Sequence, residues 1–258
     1  MKVDRLTAFL LLLPFLPLNF PARAATVPER PGWKLTFDDE FDGTSLNTAK
    51  WTPADPWGHE RNRELQAYVT NAFEVRDGLL RIKAEKRAAF YSGKERAYTS
   101  GMMTTYKKFS QQYGRFEIRC RIPSGKGTWP AFWLLPDPIG WPPEIDVLEI
   151  LGHEPNKLYM THHFRNQEHQ HGSHGGSWVG PDFSAGFHEY AVEWSPDAIV
   201  WFADGTERFR SAKDIPNGKM YMLVNLAIGG DWPGAPDSAT AFPAVMEVDY
   251  VRVYEKAP

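Results

Sequence analysis

Between Trp33 and Tyr254 every apolar run is short, and none sustains a 3.6-residue period. Strand-like runs follow one another instead, with turn signals between them, which restricts the chain to an all-β architecture. Trp33 to Phe37 alternates apolar and polar. Phe73 to Glu85 holds two runs joined at Asp77-Gly78, a hairpin-type dipeptide. Tyr113 to Ile122 alternates until Pro123-Ser124-Gly125 ends it. Tyr190–Trp194 and Ile199–Phe202 flank Ser195-Pro196-Asp197, and Asp204-Gly205 turns the chain again. Met220 to Ile228 is nearly all apolar, as suits a strand covered on both faces, and Met246 to Tyr254 closes the pattern. The expected fold is two packed sheets of about ten or more strands with little helix.

Composition agrees: 14% aromatic residues with 21 Gly and 21 Pro favour strands and turns. A formal charge of −3 gives no electrostatic footprint for nucleic acid. Cys120 is the one cysteine, so no internal disulfide can form. Residues 1–24 read as a secretory signal peptide: Lys2 and Arg5, an apolar run from Leu6 to Phe20, then Ala22-Arg23-Ala24 as a small-x-small cleavage site. The run is too short and too rich in proline for a membrane span. The expectation is a secreted, mildly acidic monomer, one domain over 25–258, with no membrane contact after signal removal.

Acidic residues concentrate in Glu144-Ile145-Asp146-Val147-Leu148-Glu149. On a regular strand Glu144 and Asp146 share a face and Glu149 points to the other. One extra residue, a β-bulge near Val147-Leu148, brings all three acids to one surface. Carboxyls so close cannot all ionise easily, so one glutamate should stay protonated near neutral pH. A carboxylate nucleophile beside a protonated acid is the apparatus of a retaining glycosidase. Taken alone, the segment reads equally as an amphipathic strand whose acids face water. Just upstream, Trp129, Ala131 and Trp133 share parity. They form either core packing or an aromatic platform of the kind that suits a sugar ring.

The segments together resemble glycoside hydrolase family 16 in its laminarinase-type form, with the bulged E-x-D-x-x-E signature at Glu144–Glu149. Asn62 to Tyr68 is similar to N-x-E-L-Q-x-Y, Phe187 to Trp194 to F-H-x-Y-x-x-E-W, and Asn225–Gly230 and Val248–Tyr254 to the last two family segments. The resemblance implies a β-jelly-roll sandwich of two curved antiparallel sheets with an open concave cleft. It also implies endo-hydrolysis of β-1,3 or β-1,3-1,4 linkages of a glucan with retention and without a catalytic cofactor.

Carried over by position, it makes Glu144 the nucleophile, Glu149 the acid/base and Asp146 a residue that tunes a neighbouring glutamate. His163 faces the acid/base from the adjacent strand, or is simply structural. Asn62 and Glu64 hold sugar hydroxyls, and Trp129, Trp133 and Trp232 stack on rings. Glu40, the Gly78 carbonyl and Asp249 hold a structural calcium, unless Asp249 caps a turn or pairs with a base.

Two features depart from the pattern. Pro138 to Pro143 is Pro-rich, and His169, His171 and His174 lie in what reads as a Gly-rich loop from Arg165 to Gly186, either a cleft rim or a transition-metal site. Both suit a cleft reshaped for a bacterial exopolysaccharide of the succinoglycan type, or for a galactan. A transglycosylase uses the same residues, whereas a non-catalytic carbohydrate-binding protein would typically lack one or both glutamates.

Overall fold

The computed structural model describes residues 27–258. The signal-peptide expectation for residues 1–24 falls outside them. Eighteen strands and no helix are present among the described residues. In chain order they are β1 (Trp33–Asp39), β2 (Gln66–Tyr68), β3 (Phe73–Arg76), β4 (Leu79–Ala84), β5 (Ala89–Tyr91) and β6 (Lys94–Arg96). Next come β7 (Tyr98–Ser100), β8 (Met102–Thr104), β9 (Gly114–Arg121), β10 (Thr128–Pro136), β11 (Glu144–Ile150) and β12 (Lys157–Arg165). The last six are β13 (His171–Val179), β14 (His188–Trp194), β15 (Ile199–Ala203), β16 (Thr206–Ser211), β17 (Met220–Ile228) and β18 (Ala244–Lys256).

Two sheets hold most of them, as the alternating runs require. One runs β16-β15-β14-β9-β18-β4-β3, with β1 also on β18; the other runs β13-β12-β11-β10-β17-β8. The core lies between them. Ile145, Val147, Leu148 and Ile150 of β11 meet Val192, Trp194 and Trp201 of the opposite sheet in one buried cluster. All nine residues of β17 are buried. Its outer face carries Tyr221 and Leu223, which Trp57, Tyr68 and Tyr106 cover in a small second core. The segment before β2 is thereby fixed across one end of the outer face. At the β3–β4 turn Asp77 and Gly78 both have positive φ, 59° and 71°, the pair of left-handed residues that a two-residue hairpin of this hand needs.

The structure corrects one element. The segment read as a Gly-rich loop contains β13, a nine-residue edge strand paired with β12 from Lys157↔Val179 to Arg165↔His171. Its glycines are packing requirements. A Cβ on Gly172 would lie 2.7 Å from the Phe164 ring, and one on Gly176 2.6 Å from Phe209. Glycine in a strand marks such close approach as readily as it marks a loop.

Candidate active site

Strand β11 shows how the acids reach one surface. Asp146 faces Thr161 of β12, and the next pair is Glu149 with Tyr159. Two residues, Val147 and Leu148, therefore oppose the single Met160. On the β10 side Leu148 pairs with Phe132 and Asp146 with Trp133, which leaves Val147 as the extra residue. Both bulge residues point into the core, with exposures of 1% and 0%. Glu144, Asp146 and Glu149 emerge together on the outer face, so the bulge is where the sequence places it. Trp201, from the opposite sheet, donates its Nε1–H to the Asp146 carbonyl at 2.8 Å. A buried side chain thus satisfies a backbone oxygen beside the irregularity.

The three carboxyls open into a cleft of about 610 Å³ also lined by Trp129, Ala131, Trp133, Asn62 and Glu64. Trp141 Nε1 donates to Glu144 Oε2 at 2.6 Å, and Trp129 Nε1 to Glu149 Oε1 at 3.1 Å. Burial, then the charge of Asp146, pushes Glu144 well above the usual carboxylate range, while His163 and the Trp141 hydrogen bond act the other way. Burial also raises Asp146, to about 7, against a hydrogen bond with Glu144 that favours its charged form. Glu149 is raised by burial and then by the charges of Asp146 and Glu144. All three carboxyls are thus harder to ionise than free ones, which favours keeping a proton among them near neutral pH.

His163 is the residue that the structure places differently. It faces Glu144 in the strand register, and its Nε2 lies 3.3 Å from Asp146 Oδ2. Glu149 has Trp129 and, across the strand pair, Tyr159. His163 therefore stands beside Glu144 and Asp146 and not beside Glu149, because the bulge carries Glu149 one step beyond the plain alternation.

Glu64 accepts hydrogen bonds from Gln66 (2.6 Å), Tyr68 (3.2 Å) and Asn62 (3.3 Å), so it arrives in the cleft already oriented. Burial raises it. Trp133 donates to Asn225 Oδ1 at 2.8 Å and stacks on Trp57, with ring centroids 5.8 Å apart and 23° between planes. One face of Trp133 is thus closed to a sugar. Trp232 is 41% exposed and meets Trp129 and Tyr159 edge-on at the cleft rim.

Trp57 and Trp141 were not expected here. Trp57 gives no local signal, because its place depends on a loop crossing the sheet. Trp141 lies in the Pro-rich stretch, and it reaches Glu144 because that stretch folds back over His171, with ring centroids 4.7 Å apart.

Glu40, Gly78 and Asp249 belong to the sheet that lies across the core from the cleft. β4 leaves β18 at Leu80↔Val248 and β1 ends at Asp39↔Val251, so Glu40 and Gly78 flank the gap that Asp249 occupies. The Glu40 side chain, however, grips Arg252 through both oxygens at 2.8 Å, and Asp249 pairs with Arg119. Pairing with a base is thus realised for Asp249. Calcium there would compete with Arg252 and Arg119 for the two carboxylates. His169, His171 and His174 do not converge either: His174 turns to Ser211 at 2.8 Å and His171 to His163 at 3.0 Å.

This arrangement has relatives. The chain is 39% identical to a beta-glucanase of Rhodothermus marinus, covering 87% of this chain and 86% of that protein. It is 40% identical to the endo-1,3-1,4-beta-glycanase EglC of Rhizobium meliloti (strain 1021) over 85% of its own length, spanning only 51% of EglC. The laminarinase catalytic domain from Thermotoga maritima MSB8 superposes with a TM-score of 0.79 at 34% identity, covering 88% of this chain and 99% of that one, so the sandwich is a jelly roll. The model for glycosyl hydrolases family 16 matches residues 62–252, from just before β2 into β18. On the carboxyl-bearing strand, the cleft above it and this match, the chain belongs to glycosyl hydrolases family 16.

Proposed function

We propose that the chain is a secreted endo-glycosidase that cleaves internal β-1,3 linkages, or β-1,3-1,4 linkages, of a glucan with retention of configuration. The observation that carries this reading is the bulge that brings Glu144, Asp146 and Glu149 to one surface beneath tryptophans. Trp141 holds Glu144 Oε2, which leaves Oε1 to attack the anomeric carbon. As the glycosidic bond breaks, Glu149 gives its proton to the departing oxygen. A water then attacks the glycosyl-enzyme ester, Glu149 takes the water's proton, and Glu144 leaves as carboxylate. Carboxyl groups and water suffice, without a cofactor.

Relatives named for β-1,3 and for mixed β-1,3-1,4 activity both support the linkage class. A second reading, a bacterial exopolysaccharide as substrate, is favoured by Trp141 of the Pro-rich stretch standing over Glu144 and by the histidine-bearing β13 beside it. Parallel assays on laminarin, lichenan and a succinoglycan-type polymer separate the two.

The roles are tested with an activated aryl glycoside. Azide should rescue Glu144→Ala as the α-azide and Glu149→Ala as the β-azide, since only the second variant keeps its nucleophile. The reverse pattern would overturn the assignment. Calcium at Glu40, Gly78 and Asp249 would be structural, and EDTA should then lower Tm and added calcium restore it. Identical melting curves would remove it.

A further inference from the structure

His163 Nε2 and Asp146 Oδ2 are 3.3 Å apart, yet they are not aligned as a hydrogen bond, and among the described residues no donor reaches that oxygen. Asp146 is 2% exposed, so water does not solvate it freely. An unpartnered carboxylate oxygen at that depth is costly. The other ring nitrogen, His163 Nδ1, lies 3.0 Å from His171 Nε2. With the proton on Nδ1 and donated to His171, Nε2 turns a lone pair toward the same space as the aspartate oxygen. A carboxylate oxygen of Glu144 joins them, and the three ligand atoms all lie within 4.8 Å of one another. In that tautomer three electron-pair donors lie close together with no hydrogen between His163 Nε2 and Asp146 Oδ2.

That spacing has a chemical meaning. Ligands held 2.0–2.2 Å from a tetrahedral ion sit about 3.4 Å apart, close to the His163–Asp146 separation. One imidazole and two carboxylates suit zinc and its neighbours better than calcium or magnesium, which take oxygen alone. A histidine that binds a metal commonly passes its second N–H to an acceptor, and His171 stands in that position. Trp141 occupies only Oε2 of Glu144, so the other oxygen remains for the ion.

We propose that Glu144, Asp146 and His163 form a binding site for one divalent transition ion of the zinc class, supported from β13 by His171, and that occupancy blocks catalysis. The ion takes up the nucleophile and Asp146 together, in competition with substrate. Inhibition rests on the glycosidase reading above; binding does not. The site accounts for a histidine-bearing edge strand beside the cleft, and it differs from a cluster of His169, His171 and His174, whose side chains diverge.

Zinc chloride is titrated into the full chain by calorimetry, with cobalt absorption as a second readout, for the wild type and four variants. Expected is one zinc per chain. His163→Gln should weaken binding at least 100-fold and His171→Gln about 10- to 100-fold, while His169→Gln and His174→Gln bind as the wild type does. Zinc should raise KM for the polymer without changing kcat. The site is overturned by a wild type that binds no zinc, by His163→Gln binding at wild-type affinity, or by loss in the His169 or His174 variant instead. Should His163→Gln not fold, His171→Gln decides alone, since it lies on an exposed edge, and unchanged affinity there refutes the site. Zinc binding by a chain without glycosidase activity would overturn the catalytic reading and leave the site; activity without zinc binding would overturn the site alone.

Discussion

Deleting Val147 tests whether the bulge aims Glu149. Asp146 and Glu149 face Thr161 and Tyr159 on one side, and Trp133 and Ala131 on the other, so both neighbouring strands already place them two residues apart. A strand shortened by one residue at this point fits both ladders without a change of register. Leu148 then remains as the single core residue between the two acids. Stability falls by the burial of one valine, about 2–3 kcal/mol. At about 2–4 °C per kcal/mol for a chain of this size, Tm should drop by about 5–10 °C. Catalysis should fall further than stability implies. The Glu149 side chain leaves a flat strand at a different angle, and a displacement near 1 Å costs on the order of 100-fold in rate. Val147→Ala keeps the bulge while losing most of the buried surface, so it should lose stability and keep kcat. The measurements are thermal melting and kcat on laminarin. Wild-type kcat in the deletion variant would refute the reasoning, as would a deletion variant that cannot fold, since the register argument says that it can.

Two further outcomes follow from the site. Trp141→Phe removes the donor at Glu144 Oε2, so the acidic limb of the pH–rate profile should move about 1–2 units upward, the direction in which the nucleophile is harder to ionise; an unmoved limb would show that the indole N–H does not stabilise the charged form. Asp146 is raised on folding to about 7, so the folded chain binds more protons there than the unfolded one, and stability is lost as pH rises from the ordinary aspartate range through about 7. Asp146→Asn should therefore melt higher than the wild type at pH 8 and gain nothing at pH 4, whereas an equal difference at both values would refute the linkage.

Much of this was legible because strand physics is local. Alternation in Trp33–Phe37 and Tyr113–Ile122, the Asp77-Gly78 turn and the nearly all-apolar run at Met220–Ile228 depend on nearest neighbours, and they appear as β1, β9, the β3–β4 turn and β17. The bulge too is a counting argument, since a period of two admits only one way to put Glu144, Asp146 and Glu149 on one face. Composition misled only where two causes share one symptom, as at β13, whose glycines answer to Phe164 and Phe209 and not to a turn.

What the sequence could not show is which side chain faces which across strands far apart in the chain. His163 reads as a partner of the acid/base until the register sets it against Glu144. Trp133 reads as a free platform until Trp57 covers one face, and nothing in the sequence shows that Glu40 meets Arg252 or that Asp249 meets Arg119. Each of these contacts joins residues whose proximity depends on the whole stacking order of two sheets. The period of a strand fixes the face to which a side chain points, but only the folded pair of sheets decides what stands opposite.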